Sequence, residues 1–305
     1  MRLVIRAGLL TVALFALVAL ASPPAFAQNG RSLSLSAESV LLIDPEGRVL
    51  YAKNPDESHA PASLTKVMTL YLALEDIELG RAQWDEPVTV SRRATLTPRY
   101  RMGLRTGEQV TLRVLLEGVG IASANDAATA VAEHLSQGDE EAFVARMNVK
   151  AQELGLTQTR FVNPHGLPDP MQRSTAIDMA TLVARLLRDY PASRTILGGQ
   201  TFVYRGRVYA RRIPLFTDPG GVQALKTGYT HEAGYNLAVA AWRGGQQFVM
   251  VVLGAQTRGL SFLDAKKVLH YGFVETGLAP DEPEPQPPVP VRKPIRVRSV
   301  RGRRG

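Results

Sequence analysis

The sequence predicts an α+β protein: an antiparallel β-sheet built from both ends of the chain, flanked by helices, with an all-helical lobe inserted between its halves. Three observations predict it. Apolar runs of strand length open the body of the chain. Helix-spaced apolar residues then fill the middle. After residue 200 the pattern returns to strand-length runs joined by turns of two or three residues. Strands joined so tightly pair antiparallel. At 305 residues, 45% apolar and 21% charged, the chain has enough to bury for one large domain or two lobes.

The elements follow in order. Residues 38–44 and 48–53 are apolar runs around Pro45-Glu46-Gly47, a hairpin signal. A helix is predicted from Ser63 to about Ile77, with Met68 and Leu72 on its apolar face. Residues 91–108, rich in Arg, Thr, Pro and Gly, read as a loop. Thr111 is a capping residue ahead of Leu112, Leu115, Leu116 and Val119. An Ala-rich helix spans Asp126 to Leu135. Asp139 caps another helix, with Glu140 and Glu141 in the first turn, where carboxylates favour the helix dipole, and Gly155 stops it. Ser174 or Thr175 opens a helix carrying Met179, Leu182, Val183, Leu186 and Leu187. Strands are predicted at 201–204, 207–213, 222–229, 234–242 and 247–254, then a last helix from about Ser261 to Tyr271. The body spans residues 33–275.

The two ends differ from the body. Arg2 and Arg6 precede an apolar run from Ala7 to Ala21, and Ala25-Phe26-Ala27 fits the small-x-small pattern of a cleavage point, so residues 1–27 read as an export signal. The rival reading is an uncleaved anchor. Residues 280–290 are Pro-rich and extended, and residues 286–305 carry seven Lys/Arg and no acid. The segment 280–305 is expected to be a disordered basic tail, solvated or in electrostatic contact with an anionic membrane or wall polymer. The formal net charge of +8 superficially suggests a nucleic-acid binder, but subtracting the tail and the two N-terminal arginines leaves residues 28–285 at −1. No nucleic-acid partner is expected. The absence of Cys excludes disulfides, thiolate zinc sites and a cysteine nucleophile. The five His are scattered with no H-x-x-x-H or H-E-x-x-H spacing, so neither metal nor cofactor is expected.

Three short segments carry chemistry. Ser63-Leu64-Thr65-Lys66 places a hydroxyl and an amine one helical turn apart. Lys66 can activate Ser63 only when neutral. From an ordinary pKa of about 10.4 that needs a drop of roughly three units, by burial or a second cation. Ser123-Ala124-Asn125 lies between two helices, where Ser123 could relay a proton and Asn125 donate to a substrate carbonyl. Lys226-Thr227-Gly228 sits in an apolar strand, and a strand glycine marks close approach of another backbone or a ligand. A peptide could add along that strand. Each segment alone also has a plain reading as a helix cap with a solvated lysine, a turn, or an edge strand.

Together and in this order they resemble the low-molecular-mass penicillin-binding proteins, the serine D-alanyl-D-alanine carboxypeptidases of peptidase S11 type, whose signatures are Ser-x-x-Lys, Ser-Asp-Asn, here with Ala124 in the middle, and Lys-Thr-Gly. Pro61-Ala62, Asn163-Pro164-His165-Gly166-Leu167, Tyr229-Thr230 and Ala233-Gly234-Tyr235-Asn236-Leu237 extend the likeness over about residues 33–275. The resemblance implies a β-lactamase/penicillin-binding-protein transpeptidase-like fold. It also implies removal of the terminal D-alanine from pentapeptide stems of peptidoglycan outside the cytoplasm, in the periplasm or at the wall. Ser63 is then the nucleophile and Lys66 its base. Ser123 and Lys226 pass a proton to the departing D-alanine. The amides of Ser63 and Tyr229 form the oxyanion hole beside Gly228. Thr227 holds the terminal carboxylate, assisted by Arg258, and penicillins acylate the same serine.

Two departures stand out. Ala124 replaces the middle residue, and a Pro/Arg tail stands where familiar members continue into a second β-rich domain and an amphipathic anchor. A DD-endopeptidase or β-lactamase with the same nucleophile, or a non-catalytic β-lactam-sensing or wall-binding module, are the alternatives. Glu153 faintly suggests a deacylating glutamate but reads better as a solvated helix end. Arg99, Tyr100 and Arg101 read as exposed loop.

Overall fold

A computed structural model of the chain describes residues 33–217 and 221–278. The signal (1–27) and the basic tail (280–305) lie outside the described residues. In order, the chain forms β1 (Ser39–Ile43), β2 (Val49–Lys53), a 3₁₀ turn (Ala62–Thr65), α1 (Lys66–Glu78), β3 (Pro87–Thr89), α2 (Arg92–Leu96) and β4 (Gln109–Thr111). The helical block continues with α3 (Leu112–Gly120), α4 (Asn125–Leu135), α5 (Glu140–Glu153), α6 (Ala176–Asp189) and α7 (Ala192–Gly198). Then come β5 (Thr201–Tyr204), β6 (Arg207–Ala210), β7 (Val222–Thr230), β8 (Gly234–Arg243), β9 (Gln246–Ala255) and α8 (Arg258–Glu275).

The main sheet has the order β2-β1-β9-β8-β7, all antiparallel, so strands from both chain ends meet where β1 pairs β9, with Leu42 opposite Met250. This is the predicted α+β architecture. The continuous apolar sequence of β9 has a direct cause: both faces of the strand are covered. Phe248, Met250 and Val252 pack toward α8, while Val249, Val251 and Leu253 pack into the helical lobe. Neighbouring residues on a strand point to opposite faces, so only a doubly covered strand tolerates apolar residues at every position.

Helix starts obey side-chain capping. Thr111 accepts from Val114 N, Asp139 from Ala142 N at 3.0 Å, and Thr175, rather than Ser174, accepts from Asp178 N at 3.1 Å. Several expectations are corrected. The segment 91–108 is not all loop: Ser91 caps α2 by accepting from Ala94 N, and the β3–β4 ladder brackets the segment. At five residues α2 is too short to show a period. Helix α7, begun by Pro191 with its preset backbone angle, was not anticipated. The strand expected over 207–213 ends at Ala210, and α8 starts at Arg258, capped by Thr257.

Candidate active site

The site begins at a tight turn. Ala62 adopts φ +48°, and Ala62–Thr65 forms a 3₁₀ turn before α1 opens at Lys66. In 3₁₀ geometry three residues complete a revolution, so Ser63 and Lys66 eclipse each other more closely than the expected α-helix allows. Lys66 Nζ lies 3.1 Å from Ser63 Oγ. It also lies 2.6 Å from Asn125 Oδ1 and donates to the carbonyl of His165. These three oxygens fit the three N–H bonds of an ammonium, and when the amine is neutral its lone pair can instead accept from the Ser63 hydroxyl. Burial pulls the Lys66 amine down to about 7, partly opposed by the Asp126 carboxylate.

The turn is wedged in place by two glycines. A Cβ on Gly166 (φ +84°) would come within 1.9 Å of the Ala62 carbonyl oxygen, and one on Gly228 within 3.1 Å of Ser63 N. At 166 only glycine fits, and at 228 any larger residue would have to push the Ser63 turn back by a few tenths of an ångström. Thr69 donates to the Pro164 carbonyl at 2.6 Å, and Asn236 donates to the Ala60 carbonyl at 3.0 Å. The Asn163–Leu167 and Ala233–Leu237 segments thus buttress the turn.

Ser123, between α3 and α4, takes φ +55°, a costly conformation for a side chain other than glycine. There its Oγ accepts from Lys226 Nζ at 2.8 Å. Lys226 also donates to the Thr227 carbonyl at 2.9 Å. Burial pushes Lys226 well below its ordinary value, reinforced by the charges of Lys66 and Arg211. Burial is thus the largest cause at both amines, and the repulsion between them belongs to the pair.

Asn125 also differs from expectation. Its Nδ2 donates to the carbonyls of Pro98 at 3.0 Å and Arg99 at 2.6 Å, which occupies both hydrogens intended for a substrate carbonyl. It clamps the 98–100 loop against Lys66.

Ser63, Ser123, Thr227, Gly228, Tyr229 and Arg258 line one cleft of about 620 Å³, at the seam between the edge strand β7 and the helical lobe. Lys66, Asn125 and Lys226 are buried beneath it. Arg258, exposed at the start of α8, donates to the Arg212 carbonyl at 3.1 Å. A larger groove of about 1020 Å³ between α1, α4 and α5 holds none of these residues and is lined by mutually satisfied ion pairs such as Asp76–Arg146. Glu153 belongs to that groove, paired with Lys150.

Sequence reasoning missed two residues. His165, given no role in the sequence, is buried, and its ring, accepting from Leu167 N, is lowered to about 3 by burial and by the charge of Lys66. Arg211 lines the cleft while donating to the carbonyls of Gly199, Leu225 and Leu197. Burial lowers it only to about 10, so it stays charged. Nothing local marked it, because its setting comes from α7 and β7 converging.

A hydroxyl whose base is a buried amine, at the seam of an antiparallel sheet edge and a helical lobe, marks the class: an active-site-serine hydrolase on the penicillin-binding-protein fold. Comparison with known proteins narrows it. The family model for D-alanyl-D-alanine carboxypeptidase, peptidase S11, matches residues 25–257, and the chain belongs to that family.

The D-alanyl-D-alanine carboxypeptidase DacF of Bacillus subtilis is 38% identical over 264 residues, covering 83% of this chain and 67% of the relative. Four such carboxypeptidase relatives are covered over only 61 to 67% of their length. A D-alanyl-D-alanine endopeptidase of Pseudomonas aeruginosa is 32% identical, covering 84% of this chain and 83% of that protein. Among solved structures, penicillin binding protein 5 of Haemophilus influenzae superposes with a TM-score of 0.77 at 35% identity, covering 80% of this chain and 73% of the other. Penicillin-binding protein D2 of Listeria monocytogenes in its cefotaxime-bound form gives 0.73 at 31% identity, covering 80% and 100%.

Proposed function

We propose that the protein is a serine-type D-alanyl-D-alanine carboxypeptidase that removes the terminal D-alanine from peptidoglycan pentapeptide stems through an acyl-enzyme on Ser63. The observation that carries this is the buried Lys66 amine, lowered to about 7 and 3.1 Å from Ser63 Oγ. Lys66 takes the Ser63 proton as the hydroxyl attacks the carbonyl between the last two D-alanines. Ser123, hydrogen-bonded to Lys226, relays a proton to the departing D-alanine nitrogen. The stem lies along β7, and the amides of Ser63 and Tyr229 cradle the developing oxyanion, an effect worth about 3–4 kcal/mol per donor. The small residue at 228 is what lets the strand approach Ser63 N. Thr227, with Arg211 and Arg258 in the same cleft, holds the terminal carboxylate. Asn125 positions Lys66. Water then hydrolyses the ester.

β-Lactams acylate the same serine, a reading supported by the cefotaxime-bound and ampicillin-bound Listeria relative. The enzyme is exported by residues 1–27 and works on the wall side. Among the described residues no helix is long and apolar enough to cross a membrane.

Endopeptidase activity is the second reading, favoured by the near full-length match to the Pseudomonas endopeptidase. Incubation with pentapeptide stems and with cross-linked dimers separates the two. Release of free D-alanine from stems is expected, and cleavage of dimers alone would overturn the carboxypeptidase reading. Ser63→Ala should abolish labelling by a fluorescent penicillin while leaving the circular dichroism spectrum unchanged. A label persisting on another residue refutes the assignment of the nucleophile.

A further inference from the structure

The near-neutral body conceals a strong separation of charge. Residues 91–107 contain five arginines and no acid, and residues 199–217 contain four arginines and no acid. Across residues 33–278 there are 26 Lys/Arg against 25 Asp/Glu, so outside these two segments 17 cations face 25 anions. The fold brings the two segments together. Tyr209 OH donates to the Met102 carbonyl at 2.6 Å and Tyr204 OH to Glu108 at 2.7 Å, joining the β5–β6 hairpin to the 91–108 segment as one continuous wall.

That wall borders the cleft, to which it contributes Tyr100, Tyr209, Arg211 and Arg212. Arg93 and Arg205 contact Glu140 and Glu108. Arg92, Arg99, Arg101, Arg105, Arg207 and Arg212 are exposed and have no acidic partner among the described residues. The lining of the cleft contains three arginines and no Asp or Glu.

We propose that this arginine wall is a docking surface for the polymeric, carboxylate-bearing peptide–glycan strand from which the stem in the cleft projects. It binds the neighbouring stems of the same strand, so the enzyme works faster on wall polymer than on isolated peptides. Charge complementarity carries the argument. A one-sign field around a concave site concentrates an oppositely charged substrate, with rate gains of 10- to 1000-fold. The position of the wall selects a polymer over a bilayer, because a membrane laid across it would cap the cleft that Tyr100 and Arg212 border. The proposal rests on the carboxypeptidase reading above.

The test uses the full-length mature protein, so that the basic tail is common to every variant. Arg92→Gln/Arg105→Gln/Arg207→Gln removes three wall charges outside the cleft, and Arg48→Gln/Arg113→Gln/Arg188→Gln removes three exposed charges elsewhere. Co-sedimentation with purified peptidoglycan and D-alanine release from that polymer should both fall about tenfold in the wall variant and change less than twofold in the control, at 50 mM salt. The deficit should shrink at 500 mM salt. Equal effects in the two variants, or none, overturn the proposal. So does wall-dependent binding to phosphatidylglycerol vesicles without binding to peptidoglycan. Failure of the parent protein to release D-alanine from soluble pentapeptide counts against the carboxypeptidase reading instead, since co-sedimentation reads the docking surface without turnover.

Discussion

The fold buries the Lys66 amine among three oxygens, those of the Ser63 hydroxyl, the Asn125 side chain and the His165 carbonyl. Burial disfavours the charged form of that amine and outweighs the nearby Asp126 carboxylate. On the proposed role of Lys66, raising the pH through about 7 removes its proton and so creates the base. Penicillin acylation rates should therefore climb about tenfold between pH 6 and pH 8 and level off above that. A flat profile over this range contradicts the assignment of Lys66 as base. Lys66→Arg should show no acylation at any of these pH values, because a guanidinium keeps its proton. Gly166 is a second pressure point. Gly166→Ala drives a methyl group into the Ala62 carbonyl and demands a positive φ of alanine, so it should cost about 3 kcal/mol in urea unfolding and slow acylation. The residue types at 63, 66, 123 and 226 were legible as a set, since each has a chemical job that few residues can do. The roles of Arg211, His165 and Asn125 were not, since they depend on which carbonyls and amines the fold delivers to them.

At the scale of elements, α4 organises the site from its first turn. Asp126 is fully buried and accepts from the amides of Met102, Gly103 and Leu104 at 2.9, 2.9 and 3.1 Å, and from its neighbour Ala127. One carboxylate thereby pins the loop that carries the arginine wall to the helix that carries Asn125. Asp126→Ala should destabilise by about 3 kcal/mol, since it strands buried N–H donors. It also removes the one charge that holds the Lys66 value up, so the midpoint of the acylation profile should move to lower pH. A midpoint that stays fixed shows that Asp126 acts on the loop alone. The long helices and the sheet strands were readable from periodicity and capping residues. Helices α2 and α7 were not, because five and seven residues give too little repeat to separate from loop chemistry.

At the scale of the whole molecule, the sheet is a closure device. Strands β1 and β9, some 200 residues apart in sequence, pair to join the two ends of the described body, and the helical lobe lies between them in sequence. That closure leaves β2 and β7 as the edge strands, and it is at the β7 edge that Ser63 and Ser123 converge. In the sequence the basic tail follows α8. Deleting residues 280–305 should leave the unfolding midpoint and D-alanine release from soluble stems unchanged, and alter only binding to anionic surfaces. Loss of folded protein on that deletion would show the tail to be part of the core. Taken by itself, the sequence determined the α+β class, the order of the main-sheet strands and the long helices, and the three motifs, because periodicity, capping and nucleophile chemistry are local properties written over a few residues. Tertiary structure alone decided the state of Lys66, the occupied donors of Asn125, the carbonyl cage of Arg211 and the gathering of arginines along one wall. Each of these arises from burial or proximity between segments far apart in the chain, and neither is a function of local sequence.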